Sequence, residues 1–231
     1  MPATTTVTVS SNCYTNQNIP MTQQAGSGLV APTLFDCVTV GSAGTKTLEI
    51  YTYKGYVTLP GACSTFKFWY SNCCRPGGIT NINTSNGFGN DGFFFDANLD
   101  NMLGENSSPI FISEPVRAFC VGNAFNWAQK SVEYDGDSVH YEMINCRENA
   151  YPNQTNIPFD AGWSATQPVT STYFNLNPKT GTISFLPTQQ EIDVMSIKIT
   201  EYRYDSLYYI WYQVGSASRD MMISISANCS P

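Results

Sequence analysis

The sequence predicts an all-β protein made of two β-sandwich domains. Short apolar runs alternate with polar residues at a period of two, and Gly, Pro and Asn turns separate them. The sequence nowhere carries a sustained apolar stripe at 3.6-residue spacing, the mark of an amphipathic helix. With 42% hydrophobic residues, the 231-residue chain can bury a core, and its length suits one large domain or two small ones. Short strands between frequent turns favour sandwiches over barrels.

Predicted strands follow one another along the whole chain. Residues 14–34 are rich in Asn, Gln, Gly and Pro and predict a long loop, and residues 100–109 predict a linker. The best helix candidate is a turn around Gln189 to Ile192. We therefore expect a Cys-rich β-domain over residues 1–105 and a β-sandwich over residues 106–231. The predicted strands cover residues 4–10, 47–59, 65–70, 93–95, 110–112, 138–145, 182–186, 194–204, 207–214 and 221–226.

The charge balance excludes several classes of partner. Eleven Lys and Arg against 18 Asp and Glu give a net charge of −7, which argues against binding to nucleic acid or to an anionic membrane surface. No apolar stretch approaches the roughly 20 residues of a spanning helix, so membrane insertion is not expected. No secretory apolar segment follows Met1, which suggests a removed leader or a piece of a longer chain.

The cysteines predict an oxidising compartment. An even number in a Thr- and Asn-rich acidic chain suits a disulfide framework, and no Cys-x-x-Cys pair supports zinc. Cys73 and Cys74 are expected to reach two different partners, with Cys63 a candidate for one of them. A bond between the two neighbours would instead suit a redox switch. The expected disulfide residues are Cys13, Cys37, Cys63, Cys73, Cys74, Cys120, Cys146 and Cys229.

Enzyme motifs are missing from the sequence. His140 is the only histidine, and no Gly-x-Ser-x-Gly elbow or nucleotide-binding glycine motif accompanies it. A histidine on a strand surface is therefore the better interpretation. Paired carboxylates that cleave glycosides stay an open alternative. We expect a protein without catalytic residues.

Two segments of the chain each carry a series of motifs in a specific order. The first comprises Tyr56-Val57-Thr58-Leu59-Pro60 through Cys63, residues 66–70, Cys73-Cys74-Arg75 and Ile79-Thr80-Asn81-Ile82. The second comprises Asn106-Ser107-Ser108-Pro109-Ile110-Phe111, Phe119-Cys120-Val121-Gly122, Asp135-Gly136-Asp137-Ser138-Val139, residues 177–183, Glu201-Tyr202-Arg203 and Arg219-Asp220. The first segment resembles the strand, Cys-Cys-Arg, Ile-x-Asn signature of large secreted surface proteins of Bacteroidetes, some of which resemble gliding-motility adhesins. The second is similar to a cadherin-like or PKD-like β-sandwich repeat of the same proteins.

This resemblance covers roughly residues 50–225 and implies an Ig/cadherin-like, extracellular, non-enzymatic module of an adhesin or surface filament. The chain departs from the family pattern at two places. Glu133-Tyr134-Asp135-Gly136-Asp137 stands where the family has Asp-Pro-Asp-Gly-Asp, and residues 204–218 are longer than the usual hairpin. The implied location is the cell surface.

A short acidic segment predicts a Ca²⁺ site. Glu133, Asp135 and Asp137 alternate around a glycine, and clustered carboxylate oxygens suit a hard cation. By the resemblance, Asn106 and Glu201 complete the ligand set at one end of the sandwich. The spacing does not fit an EF-hand. The alternative is a polar β-turn, because Asp-Gly is a hairpin signal by itself.

An aromatic run predicts a contact surface. Tyr208, Tyr209, Trp211 and Tyr212 lie in one hairpin-like segment, and exposed Tyr and Trp form rigid contact surfaces. The alternative is a hairpin packed on its own sheet. We expect a structural or adhesive module whose partners are copies of itself in an oligomer or filament, or neighbouring modules of a longer chain. A Ca²⁺-assisted carbohydrate-binding module, with Trp211 stacking on surface glycans, is the alternative.

Overall fold

The computed structural model describes residues 3–32, 47–83 and 92–227. These residues form 18 strands and no helix, which confirms the all-β prediction. Accordingly, this part of the chain holds no helix of the length and apolarity needed to cross a membrane. The strands are β1 (Thr4–Ser10), β2 (Gln17–Gln23), β3 (Leu29–Pro32), β4 (Thr47–Ile50), β5 (Tyr53–Lys54), β6 (Phe66–Asn72), β7 (Phe93–Leu99), β8 (Ile110–Phe111), β9 (Val116–Cys120), β10 (Phe125–Ala128), β11 (Ser131–Val132), β12 (Ser138–Ile144), β13 (Arg147–Glu148), β14 (Thr155–Asn156), β15 (Ser171–Leu176), β16 (Thr182–Pro187), β17 (Glu191–Asp205) and β18 (Ile210–Ser226).

One nine-stranded sheet runs through both halves of the chain. Its order is β12-β17-β18-β7-β6-β1-β2-β5, with β9 added parallel to β18. The pairing of β7 with β18 brings Asn98 opposite Ser216 and so joins the N-terminal to the C-terminal half. The domain boundary near residue 105 stays a prediction. A smaller sheet has the order β10-β16-β15.

The main core lies between these two sheets. Ile197 and Ile199 of β17 pack in one buried cluster with Ile183 and Phe185 of β16. Trp127 of β10 is buried in the same cluster. The alternation of these apolar residues with others is the period-two pattern of strands that bury one face.

Strand β17 is buried on its other face as well. Val194 belongs to a second buried cluster with Ile82, Cys146 and Ile157, which lie outside the main core. Packing on both faces leaves most of β17 buried, including the polar side chains of Asp193 and Ser196. The helix candidate at Gln189 to Ile192 is wrong, because Glu191 and Ile192 open this strand.

The N-terminal half contains a third cluster. Val9, Ile19, Cys63 and Phe66 are buried together where β1, β2 and β6 meet. The predicted loop over residues 14–34 is wrong over residues 17–23, since β2 pairs with β1 along six registered positions, and over residues 29–32, since β3 pairs with β4. Pro20 favoured the loop prediction because proline has no backbone N–H to donate within a sheet. It is tolerated in β2 because β5 pairs only with Thr22 and Gln23, at the far end of the strand.

Some of the cysteine predictions are confirmed and others are wrong. Cys13 bonds to Cys63, and Cys73 bonds to Cys74, so the expectation of two different partners for the adjacent pair is wrong. Cys120 is disulfide-bonded, whereas Cys146 is a free, buried thiol and not the disulfide residue that we expected. Ser196 donates a hydrogen bond to its sulfur, and burial raises the pKa of Cys146 to about 12. Cys37 and Cys229 lie outside the described residues.

Candidate functional site

A cluster of acidic side chains lies beside the long β17–β18 hairpin. Glu133, Asp135 and Asp137 offer oxygens that all lie within 4.8 Å of one another. The turn is held by its own backbone, because the amides of Asp135 and Asp137 donate to the two carboxylate oxygens of Glu133 at 2.6 and 2.8 Å. Gly136 has a φ of 81°, a conformation that favours glycine. The polar-turn interpretation and the clustering of carboxylates are thus both seen here.

Two neighbouring segments add the remaining residues of the predicted set. Ser107 donates from its backbone amide and from its hydroxyl to the carboxylate of Asp135. Asn106 donates from Nδ2 to Oε2 of Glu201 at 3.0 Å. The structure therefore brings all five predicted residues, Asn106, Glu133, Asp135, Asp137 and Glu201, into one place, which we call the acidic cluster.

Glu201 is the buried member of the acidic cluster. It is 0% exposed, and its Oε1 has no hydrogen-bond partner among the described residues. Burial raises the pKa of Glu201 to about 7; the Asn106 hydrogen bond opposes the rise, and Glu133, Asp137 and Asp135 reinforce it. Burial of a carboxylate oxygen without a hydrogen-bond partner costs free energy, and a bound proton or cation would reduce that cost.

A β-bulge gives Glu201 its place. Glu201 pairs with Gly215, and Tyr202 pairs with Gln213, so that Val214 is the extra residue on β18. A side chain at position 215 would collide with Oε2 of Glu201 and with Nδ2 of Asn106. Bulges often redirect a side chain at sites of this kind. Gly215 therefore makes room for the Glu201–Asn106 contact.

Arg203 contacts the acidic cluster, and the sequence analysis did not assign it to the site. Its Nε and Nη2 donate to the two carboxylate oxygens of Asp137 at 2.9 and 2.7 Å. The same guanidinium donates to Oδ1 of Asn106 and to the backbone oxygen of Glu105, both at 3.0 Å. The Glu201-Tyr202-Arg203 motif was the available signal, because Arg203 lies two positions after Glu201 on the same strand face. One guanidinium against four carboxyl groups leaves the acidic cluster with surplus negative charge.

The aromatic end of the same hairpin is exposed. Tyr208, Tyr209 and Trp211 are 66%, 79% and 57% exposed, and Leu207 and Ile210 are exposed with them. We call residues 207–211 the hairpin tip. Oδ1 of Asp205 accepts hydrogen bonds from the amides of Leu207 and Tyr208, which closes the turn. The alternative of a hairpin packed on its own sheet does not describe these side chains.

One face of the hairpin carries an aromatic pair. Tyr204 and Trp211 are directly opposite each other in register, and their ring centroids are 5.0 Å apart. The chain reverses between them, so their positions on one face could not be read from odd and even numbering. Tyr212 is half-buried and faces away from this pair.

The remaining candidate residue lies apart from the acidic cluster and the tip. His140 is exposed on β12, opposite Thr200 of β17. Its place on a strand surface agrees with the interpretation that we gave it.

Comparisons with known proteins supply no relative. No protein-family model matches the chain, and no curated protein or solved structure matches it either. The resemblance to Bacteroidetes surface proteins therefore stays a prediction.

Proposed function

We propose that this chain is an extracellular, non-catalytic adhesive module of a bacterial surface protein or filament, which makes contact through the hairpin tip. The observation that carries the proposal is the exposure of five consecutive apolar residues, 207–211, at the end of the longest hairpin. Clustered exposed apolar side chains cost solubility and commonly mark protein contacts. Tyr and Trp are also the residues enriched at the energetic centres of such contacts.

Backbone conformation supports a role in contact over a role in folding. Tyr209 has a φ of 58°, in the left-handed region that glycine or asparagine adopts at lower cost. Its ring is mostly exposed and so returns little burial energy to the fold. Strained positions of this kind are often kept for function.

The partner that we propose is a second copy of this chain. A second exposed apolar area contains Ile110 and Ile112 and lies beside a groove of about 430 Å³. The lining of that groove is mixed, with the apolar Ile112 and Val116 beside charged side chains such as Glu114 and Arg117. A tip on one copy that enters a groove on the next is a head-to-tail contact, and repetition of such contacts builds a filament.

Sedimentation of the purified chain tests this proposal. The wild type is expected to form concentration-dependent oligomers, and Trp211→Ala is expected to shift it to monomer. Tyr173→Ala, which removes another exposed ring on β15, is the matched control and leaves the oligomers intact. A wild type that stays monomeric at high concentration, or equal loss in both variants, would contradict the proposal.

We propose further that the acidic cluster binds Ca²⁺ at the root of the hairpin. The surplus carboxylates and the unpartnered Oε1 of Glu201 support this, since Ca²⁺ takes six to eight oxygen ligands. Bound Ca²⁺ would supply the missing positive charge and tie residues 106 and 133–137 to β17. Asp137 would have to share its oxygens with Arg203. This would hold the hairpin, and therefore its tip, in one direction.

Thermal unfolding in millimolar Ca²⁺ and again in EDTA tests the metal site. Ca²⁺ that binds the folded state alone must raise the midpoint. Asp135→Asn is expected to abolish the rise, whereas Glu142→Gln, on the exposed face of β12, is expected to keep it. An unchanged midpoint in the wild type would reduce the acidic cluster to a turn.

The finer fold and the location belong to the same proposal. The buried clusters of the two halves support two β-sandwich-like domains over residues 1–105 and 106–231, which would share the nine-stranded sheet. The Cys13–Cys63 bond supports an oxidising, extracellular compartment.

Carbohydrate binding is the second candidate function. Tyr204 and Trp211 form an exposed aromatic pair that offers a stacking surface for a sugar ring. Retention on polysaccharide columns, lost in Trp211→Ala while oligomers persist, would favour this candidate over self-association.

A further inference from the structure

We propose that a cationic groove on the opposite side of the sheet from the main core binds an anionic sugar, one bearing a carboxylate or a sulfate. The groove has a volume of about 500 Å³, which lies in the usual range for small-ligand sites of roughly 300–1,000 Å³. It is separate from the acidic cluster and from the hairpin tip, and shares no lining residue with either. Its lining comprises Lys67, Asp96, Asn98, Met143, Ile144, Asn145, Arg147, Asn156, Ala165 and Lys198.

Strand register builds the floor of the groove as a polar band across the sheet. Glu142 of β12 lies opposite Lys198 of β17, and Lys198 lies opposite Ser218 of β18. The Ser218 hydroxyl donates to Oδ1 of Asp96 on β7 at 2.7 Å. Asp96 in turn accepts a bond from Nζ of Lys67 on β6 at 2.6 Å. Five adjacent strands thus contribute one charged or polar side chain each.

A short segment above the sheet contributes a further cation. Arg147 of β13 donates from Nη2 to Oδ1 of Asp96 at 2.8 Å and to the Ser218 hydroxyl at 2.9 Å. Asp96 is therefore shared by two cations. Burial opposes its ionisation, but the hydrogen bonds from Arg147 and Lys67 outweigh burial and hold its pKa below the usual range. The carboxylate is fixed as an anion that orients both cations.

The groove has more positive charge than its own acid neutralises. Lys67, Arg147 and Lys198 supply three positive charges, and Asp96 is the one carboxylate among its described lining residues. Glu142 at the rim pairs with Lys198 at 2.9 Å and leaves a surplus of one charge. Basic side chains are therefore concentrated in this groove although the whole chain has a net charge of −7. The side chains of Lys67, Arg147 and Lys198 are all partly exposed, so a ligand can reach them.

The uncharged lining residues indicate that the anionic group of the ligand belongs to a sugar. Asn98, Asn145 and Asn156 supply amide groups, which both donate and accept hydrogen bonds as sugar hydroxyls require. Lys67 also lies 5.8 Å from the ring of Tyr151, which places an aromatic ring near the groove. Among the described lining residues, Met143, Ile144 and Ala165 are the apolar ones, and this small share favours a sugar over a peptide with apolar side chains.

Calorimetric titration of the full chain tests this inference with trigalacturonic acid, its methyl ester and a sulfated disaccharide as probes. At least one anionic probe is expected to bind, with an affinity that falls as salt rises, while the neutral ester does not bind. The double variant Lys67→Gln, Lys198→Gln is expected to weaken binding at least tenfold and keeps Asp96 paired with Arg147. Lys179→Gln, which removes the same charge from an exposed turn, is the control and leaves affinity unchanged.

Three results would overturn the inference. These are no binding by either anionic probe, an equal loss in the Lys179→Gln control, or inorganic sulfate binding as tightly as the sugars. Trp211→Ala is expected to keep full affinity for the probe. Loss of affinity in that variant would assign the sugar to the hairpin instead.

Discussion

The β17–β18 hairpin has an inner part and an outer part, and different interactions determine the structure of each. The inner part, residues 191–200 with their partners on β18, packs Ile197 and Ile199 into the main core, while Lys198 on the other face reaches the cationic groove. The outer part, from Glu201 to Gly215, passes the acidic cluster and ends in exposed aromatic rings. The β-bulge at Glu201 is the boundary between them. Burial of apolar side chains therefore determines the structure of the inner part, whereas charged contacts and exposed aromatic rings characterise the outer part.

The largest effect is expected from the inner half. Ile197→Ala removes a fully buried side chain from the main core and should lower the free energy of unfolding by about 2–5 kcal/mol. Tyr208→Ala removes an even larger side chain from the tip and should change it by less than about 0.5 kcal/mol. Urea unfolding of both variants measures the difference. Comparable losses would mean that the tip is part of the folded core.

A buried acid within the inner half should make stability depend on pH. Burial, and after it the neighbouring Glu191, raise the pKa of Asp193 to about 9. Because the folded pKa lies above the unfolded value, this stabilisation is complete below pH of about 4 and is lost as pH rises through 9. Unfolding free energy should therefore fall by about 4 kcal/mol between pH 5 and pH 8, at about 1.4 kcal/mol for each pH unit. Asp193→Asn should flatten this dependence, and an unchanged slope in that variant would contradict the assignment.

The boundary between the halves can be tested at Gly215. Gly215→Ala places a methyl group against Glu201 and Asn106 and should cost about 1–3 kcal/mol. In a Glu201→Ala background, the same change should cost much less, because the opposing carboxylate is gone. A double-mutant cycle by urea unfolding measures this coupling. Additive effects would show that the bulge does not serve to place Glu201.

No loss of stability is expected from a substitution at the turn of the hairpin tip. Tyr209→Asn replaces a residue at φ 58° by one that adopts this conformation readily, so stability should stay equal or rise by up to about 1 kcal/mol. Self-association should weaken in the same variant, since the most exposed ring of the tip is lost. Thermal unfolding and sedimentation on one sample separate the two effects. A clear loss of stability would assign Tyr209 to the fold.

The sequence predicted the fold class because period-two alternation survives wherever one face is buried, as in β16, where Ile183 and Phe185 alternate with polar residues. It failed at β2, whose polar residues and Pro20 resemble a loop and form a strand through pairing with β1. The acidic turn was visible because Glu133, Asp135 and Asp137 are close in sequence. Arg203 and Gly215 were missed because their roles depend on a bulge and on contacts across about 100 residues. The cationic groove was missed for the same reason, since Lys67 and Lys198 come together only through the contacts of Asp96 and Ser218 across the sheet.

The central claim is that the tip of one copy contacts the groove beside Ile112 of another, and a mixing experiment tests it most directly. Trp211→Ala lacks a working tip but keeps the groove, and Ile112→Ser keeps the tip but alters the groove. Sedimentation velocity should show each variant alone as a monomer and an equimolar mixture as a dimer that grows no further. A mixture that stays monomeric while the wild type forms oligomers would contradict a head-to-tail contact between these two surfaces.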